Sequence, residues 1–230
     1  AEGPAASGGA ILNTGTMTIR FSTFESNRAT RAGGAIEANG GSTTIIRSTF
    51  TANTTGAEPG NGGALHLSGA GEVNIDDSVF TANTATAEGG ALWNSAGGTM
   101  TVTQSTITDN IASGAEADQG GGGLFNDGGT MVIEDSIIQD NDADGAAGSG
   151  GGILNNAGTL TVTSTDIMTN AANRAGGGIE ANVGTTNLDA VVLQANTTGA
   201  APGNGGGLHI TGAGDSNITN SQVIANTASA

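Results

Sequence analysis

The sequence predicts an all-β fold, a parallel β-helix in which each coil of chain stacks on the one before it, and a set of recurring columns leads there. A Gly-Gly-small-apolar element opens eight units: "GGAIL" at 8, "GGAIE" at 33, "GGALH" at 62, "GGALW" at 89, "GGGLF" at 121, "GGGIL" at 150, "GGGIE" at 176 and "GGGLH" at 205, spaced 25 to 32 residues apart. Each unit carries an asparagine, at Asn27, Asn53, Asn83, Asn110, Asn141, Asn170, Asn196 and Asn226, three positions after a large apolar residue that runs from Phe24 to Val223. Eight positions before each Asn lies a second apolar column from Ile19 to Ile218, and five before it a mostly Ser column from Ser22 to Ser221.

Within a unit these columns sit three, two and three residues apart, with Thr, Val and Ile crowded between them. That is the reading of strands two to five residues long separated by bends, and no amphipathic helix shows it. One unit has too little apolar surface to fold alone. Stacked at about 4.8 Å, units bury a continuous column and pair each strand with its neighbours, so eight coils make a rod on the order of 40 Å long. The Asn column is expected to form a buried amide ladder, since identical carboxamides at strand spacing bond to one another. The glycosylation sequons at Asn53 and Asn196 fall on that ladder, and a third is at Asn217.

A longer period lies above the coil. Ala10, Ala35 and Ala64 correspond to Gly152, Gly178 and Gly207 at offsets of 142, 143 and 143, and "NTTGAEPGNGGALH" at 53 returns as "NTTGAAPGNGGGLH" at 196. The chain reads as one solenoid over residues 1–230, with a five-coil superrepeat at 1–142 and three coils of a second at 143–230. Both termini fall in the variable loop between the Asn and the next Gly-Gly, so the expectation is either a cut from a larger array or a monomer that stacks end to end.

Composition narrows the partners. There is no cysteine, lysine or tyrosine, and five arginines against 21 Asp and Glu leave a formal charge of −16. That balance argues against nucleic acid or anionic lipid and allows divalent cations. No run of 18 apolar residues is present, so no membrane insertion is expected, and the first residues do not read as a signal peptide.

"GGAI" or "GGAL" paired with "FESN" at 24 and "FTAN" at 50 and 80 resembles the polymorphic outer membrane protein repeat, GGA[ILV] with FxxN. The resemblance covers nearly the whole chain. It implies a right-handed parallel β-helix of pectate-lyase-like architecture, in a bacterial protein that is extracellular or at the cell surface and linked to adhesion. The second half departs from the pattern, with GGA becoming GGG and Phe giving way to Ile, Leu or Val.

Chemistry is expected on the outside, because the inside is committed to packing. The residue after the invariant Ile or Leu of each unit reads Leu12, Glu37, His66, Trp93, Phe125, Leu154, Glu180, His209, and stacking brings these side by side as an outward interaction face. Such a stripe suits a carbohydrate platform, with aromatic faces under sugar rings and Glu37 and His66 as acid and base. The weightier reading is an apolar contact to a neighbouring rod or to a loop. A glycosidase wants two placed carboxylates, and a lyase a basic residue over calcium, so no catalytic residue is assigned and the chain is expected not to be an enzyme.

"DNDADG" at 140 matches the first half of a calcium loop through Asp140, Asp142, Asp144 and Gly145, but Gly151 stands where the closing Glu belongs. Glu116 and Asp118 of the preceding coil's loop would complete a site if the two loops stack, and a solvated acidic loop is the plainer reading. Calcium is the one candidate cofactor, and none is required. Outward Thr in "TMTIR", "TMTVT" and "TLTVT" raises ice binding, against which stand Glu72, Asp76, Glu134, Asp189 and Asp215 in the same columns. The expectation is a structural extracellular rod, filament or surface-adhesion segment that associates with itself head to tail or laterally. A carbohydrate-binding or carbohydrate-cleaving β-helix, with surface glycans as partner, is the alternative, and ice binding a minor one.

Overall fold

The computed structural model describes residues 6–57, 59–199 and 202–229. Glu58 and Ala201, one of the two pairs of positions at which the copies of the repeated 14-residue stretch differ, lie outside them. Among the described residues the chain winds through three sheets, one of 12 strands and two of eight, with coils following one another in sequence order. The third coil is typical. It gives Leu65–Asp76 to the large sheet, Val79–Thr81 to the second and Thr84–Ala85 to the third.

All pairings are parallel and keep the register that the columns set: Ile45, Ile75, Val102 and Ile133 are partners from coil to coil, as are Phe24, Phe50, Phe80 and Ile107. These columns face inward and form one continuous core. Burying each such Ile, Leu or Phe contributes about 1.5–3 kcal/mol. Phe24, Phe50 and Phe80 stack face over face, centroids 4.7 and 4.6 Å apart, because identical rings on paired strands inherit the strand spacing.

Two left-handed corners shape every coil. Residues from Phe21 to Asn220, just before the Ser column, and from Ser26 to Ala225, just before the Asn column, hold φ between 46° and 56°, and none of them is glycine. Such a conformation costs about 1–2 kcal/mol per residue. At most of the first set of corners the hydroxyl that follows offsets part of this cost. Ser48 Oγ donates to Ile46 O (2.9 Å) and accepts Ser22 N–H (3.2 Å), tying one corner to the coil below.

The asparagines form the expected ladder. From Asn27 to Asn226 each Nδ2 donates to the Oδ1 of the next coil's Asn at 2.9–3.0 Å. Asn110 shows the full set: Nδ2 donates to Asn141 Oδ1 and Phe80 O, while Oδ1 accepts Asn83 N–H and Asn83 Nδ2. All of its hydrogen-bonding capacity is used inside the core. Asn53 and Asn196 are fully buried, so their sequons are closed to a glycan.

The Gly-Gly pair has a steric cause. Gly62 sits at φ +65°, and a Cβ on Gly63 would lie 2.0 Å from Gly90 O of the next coil. Coils come too close at this point for any side chain.

Candidate functional site

The sequence stripe is assembled in register on the large sheet: Glu37 pairs with His66, His66 with Trp93, Trp93 with Phe125, Phe125 with Leu154, Leu154 with Glu180 and Glu180 with His209. Glu37 Oε2 meets His66 Nδ1 at 2.8 Å, and Ser68 Oγ donates to Glu37 Oε1 at 2.5 Å. The His66 ring lies on Trp93, centroids 4.2 Å apart, and Trp93 on Phe125 at 6.2 Å. Five coils after the first pair, Glu180 Oε2 meets His209 Nδ1 at 2.8 Å, with Arg174 Nη1 3.9 Å from Oε1.

Of the contacts weighed for this outward stripe, the one to a loop is what the structure shows, and its side chains do not form an open platform. The stripe does point away from the main core, and Trp93, Phe125 and Leu154 make a separate apolar cluster. It is nevertheless covered: Glu37, His66, Trp93, Phe125, Leu154 and Glu180 are buried, His209 is partly so, and Leu12 on the first coil is exposed. Loops that precede a Gly-Gly supply part of the cover. Trp93 Nε1 donates to Glu88 Oε2 of one such loop at 3.0 Å. Another, residues 113–119, receives Arg174 Nη1 at Ala117 O (3.0 Å) and Asn182 Nδ2 at Asp118 Oδ1 (3.3 Å). Arg174 precedes Glu180 on its coil and Asn182 follows it, so this loop passes over Glu180.

Burial and partners set the charges. Burial works to raise Glu37, but the hydrogen bond and charge of His66, with Ser68 and Arg31, outweigh it and hold the carboxyl below its ordinary value. At Glu180 burial prevails over His209 and Arg174, Asp118 adds repulsion, and the carboxyl is pushed up. Burial, followed by Asp127, likewise raises Glu88. The trio Arg31, Glu37, His66 recurs as Arg174, Glu180, His209, and Arg31 Nη1 donates to Ser7 Oγ as Arg174 Nη1 does to Ser149 Oγ. Chemically, each pair fixes an imidazole through Nδ1, which orients the ring; His66 is buried and His209 partly so.

The calcium-loop motif takes the following places in the coil. Asp140 occupies a left-handed corner and accepts Thr169 Oγ1, Asn141 is a buried ladder rung, and Asp142 belongs to the short strand Asp142–Ala143. The coil path spreads the carboxylates along an edge instead of curling them round a point. Asp118 turns to Asn182 in place of joining them. Among the described residues no group of three or more His, Cys, Asp or Glu is placed to hold a metal ion.

A second ladder escaped the sequence reading. Asn94 Nδ2 donates to Asn126 Oδ1 (2.9 Å), Asn126 Nδ2 to Asn155 Oδ1 (2.8 Å) and Asn155 Nδ2 to Thr186 Oγ1 (3.1 Å). Its signal is the Asn that closes "LWN", "LFN" and "ILN" in three successive coils.

A family model described as a right handed beta helix region matches residues 8–229. No curated protein and no solved structure matches the chain.

Proposed function

The chain belongs to the right-handed β-helix family, and on that fold we propose that it is a structural rod, displayed outside a bacterial cell, that works by its stiffness and by association with copies of itself. The observation that carries the reading is the covered stripe. Its Glu, His, Trp and Phe side chains are spent on coil-to-coil contacts and lie buried, whereas a carbohydrate platform needs its aromatic faces open. The likeness of the GGA and FxxN motifs to surface-displayed repeats supports the location. No reaction is assigned to the chain in this reading.

Sedimentation velocity over a concentration series, with electron microscopy of the same samples, tests it. Mass that grows with concentration, seen as rods longer than one molecule, is the expected result. A constant monomer mass that shifts on adding an oligosaccharide panel would replace it with the carbohydrate reading.

A further inference from the structure

We infer that the rod binds ice, through an uncharged grid of threonines on the outer surface of its large sheet in coils four to seven. The inference goes beyond self-association and does not depend on it. Four strands pair there in unbroken register, so outward residues two apart on each strand stack into columns. One column is Thr99, Thr130, Thr159 and Thr185, and the next is Thr101, Val132, Thr161 and Asn187. None of these side chains is buried, and among the described residues the threonine hydroxyls make no hydrogen bond. The inward residues that alternate with them, such as Met100, Met131, Leu160 and Val162, are fully buried and pin the strands from beneath. Threonine and valine are stiff at χ1, so the grid is set before anything binds.

The carboxylates that count against this chemistry in the sequence fall outside the grid. Glu72 and Asp76 lie one coil before it and Asp215 one coil after. Glu134 and Asp189 share the column of Thr103 and Thr163, at the corner edge. A carboxylate keeps its own hydration shell and has no place in an ice lattice, so their position at the margin matters. Ice offers the matching repeat. Tetrahedral O–H···O bonds of about 2.75 Å put second-neighbour oxygens about 4.5 Å apart and repeat about every 7.3 Å along the hexagonal axis. Stacked strands set side chains about 4.7 Å apart from coil to coil, and two residues of strand set them about 6.6 Å apart. The misfit is about 0.6 Å over three coil steps and about 0.7 Å across the columns, well under half a lattice step. A second protein copy would cover about 250 Å² here, against about 800 Å² per partner in a stable complex. The grid carries no aromatic ring to lie under a sugar.

The test grows an ice hemisphere slowly in a solution of the chain and measures the share of protein taken into the solid, with thermal hysteresis read on single crystals. The native chain is expected to enter the ice and to hold crystals unchanged below their melting point. Thr161→Asp puts a charge in the middle column and should leave the chain in the liquid, Thr101→Asp repeats this two coils away, and Thr161→Val, which keeps the shape, should retain most of the capture. Thr51→Asp, on the outward side of the second sheet, should change nothing. Circular dichroism checks that each variant is folded. A native chain that stays in the liquid and leaves ice growth unaltered overturns the inference, as does capture that survives both aspartates in the grid or is lost equally with Thr51→Asp. Retention on microcrystalline polysaccharide without capture by ice would assign the grid to a sugar solid instead.

Discussion

Replacing Asn110 by alanine removes four hydrogen bonds in one step. Its Oδ1 no longer accepts Asn83 N–H and Nδ2, and its Nδ2 no longer reaches Phe80 O and Asn141 Oδ1, while the backbone N–H at 110 keeps its bond to Asn141 Oδ1. At about 1 kcal/mol net for each buried bond, the loss is about 4 kcal/mol, and the orphaned groups stand where no water reaches them. Asn27→Ala is the internal comparison. On the first coil its side chain makes one bond among the described residues, Nδ2 to Asn53 Oδ1, so about 1 kcal/mol is at stake. Equilibrium urea unfolding followed by far-ultraviolet circular dichroism reads both, with the slope checked for loss of two-state behaviour. Because coils interact with nearest neighbours, hydrogen exchange in Asn110→Ala should quicken most in the coils on either side of it. An Asn110→Ala protein no less stable than Asn27→Ala would refute the claim that the ladder holds the coils together.

Three further outcomes are expected. Gly63→Ala sets a Cβ 2.0 Å from Gly90 O, a backbone atom that cannot swing aside, and should cost about 3 kcal/mol or more, whereas Gly15→Ala, with nothing within 4 Å, should stay within about 0.5 kcal/mol by the same urea titration. Ala82→Gly, at φ 53°, relieves about 1–2 kcal/mol of left-handed strain against about 0.5–1 kcal/mol of added chain entropy, so calorimetry should find it more stable by about 0.5 kcal/mol. The two Glu–His pairs should titrate in opposite senses. Glu37 lies below 4.5 in the folded state, so its contribution is present above 4.5 and lost as pH falls through the folded value; Glu180 lies above 4.5, so its contribution is present below 4.5 and lost as pH rises through the folded value. Unfolding measured across acid pH should show Glu37→Gln flattening the loss on acidification and Glu180→Gln flattening the loss above 4.5, and equal slopes in the two variants would contradict the assignment.

The coil, its register and the Asn ladder were legible because each follows from a spacing that the chain repeats, and a parallel stack turns repeated spacing directly into contact. The left-handed corners were not, since Ala52, Ala82 and Gln104 stand where a glycine would have signalled them. The cover over the stripe was hidden for another reason. It depends on loops whose lengths differ from coil to coil and whose bonds skip a coil, as Arg174 to Ala117 and Asn182 to Asp118 do. Periodicity told which way Glu37 and Trp93 point and could not tell what lies on top of them. The Asp140, Asp142, Asp144 spacing left two readings open because alternate carboxylates belong as well to a chain running along a coil edge as to one curled round a cation.

The ladder also bears on how the protein ages. A carboxamide is lost fastest when the following backbone nitrogen swings in to attack it, which glycine favours because it has no side chain to hinder the approach. In this rod Asn39, Asn61 and Asn204 are each followed by glycine, yet the ladder residues are followed by Arg28, Thr54, Thr84, Ile111, Asp142, Ala171, Thr197 and Thr227. Conversion of a single buried rung to a carboxylate would seal a negative charge between two amides with no cation to meet it. The slow chemistry is kept where failure would part the stack, and the fast chemistry is left outside that column.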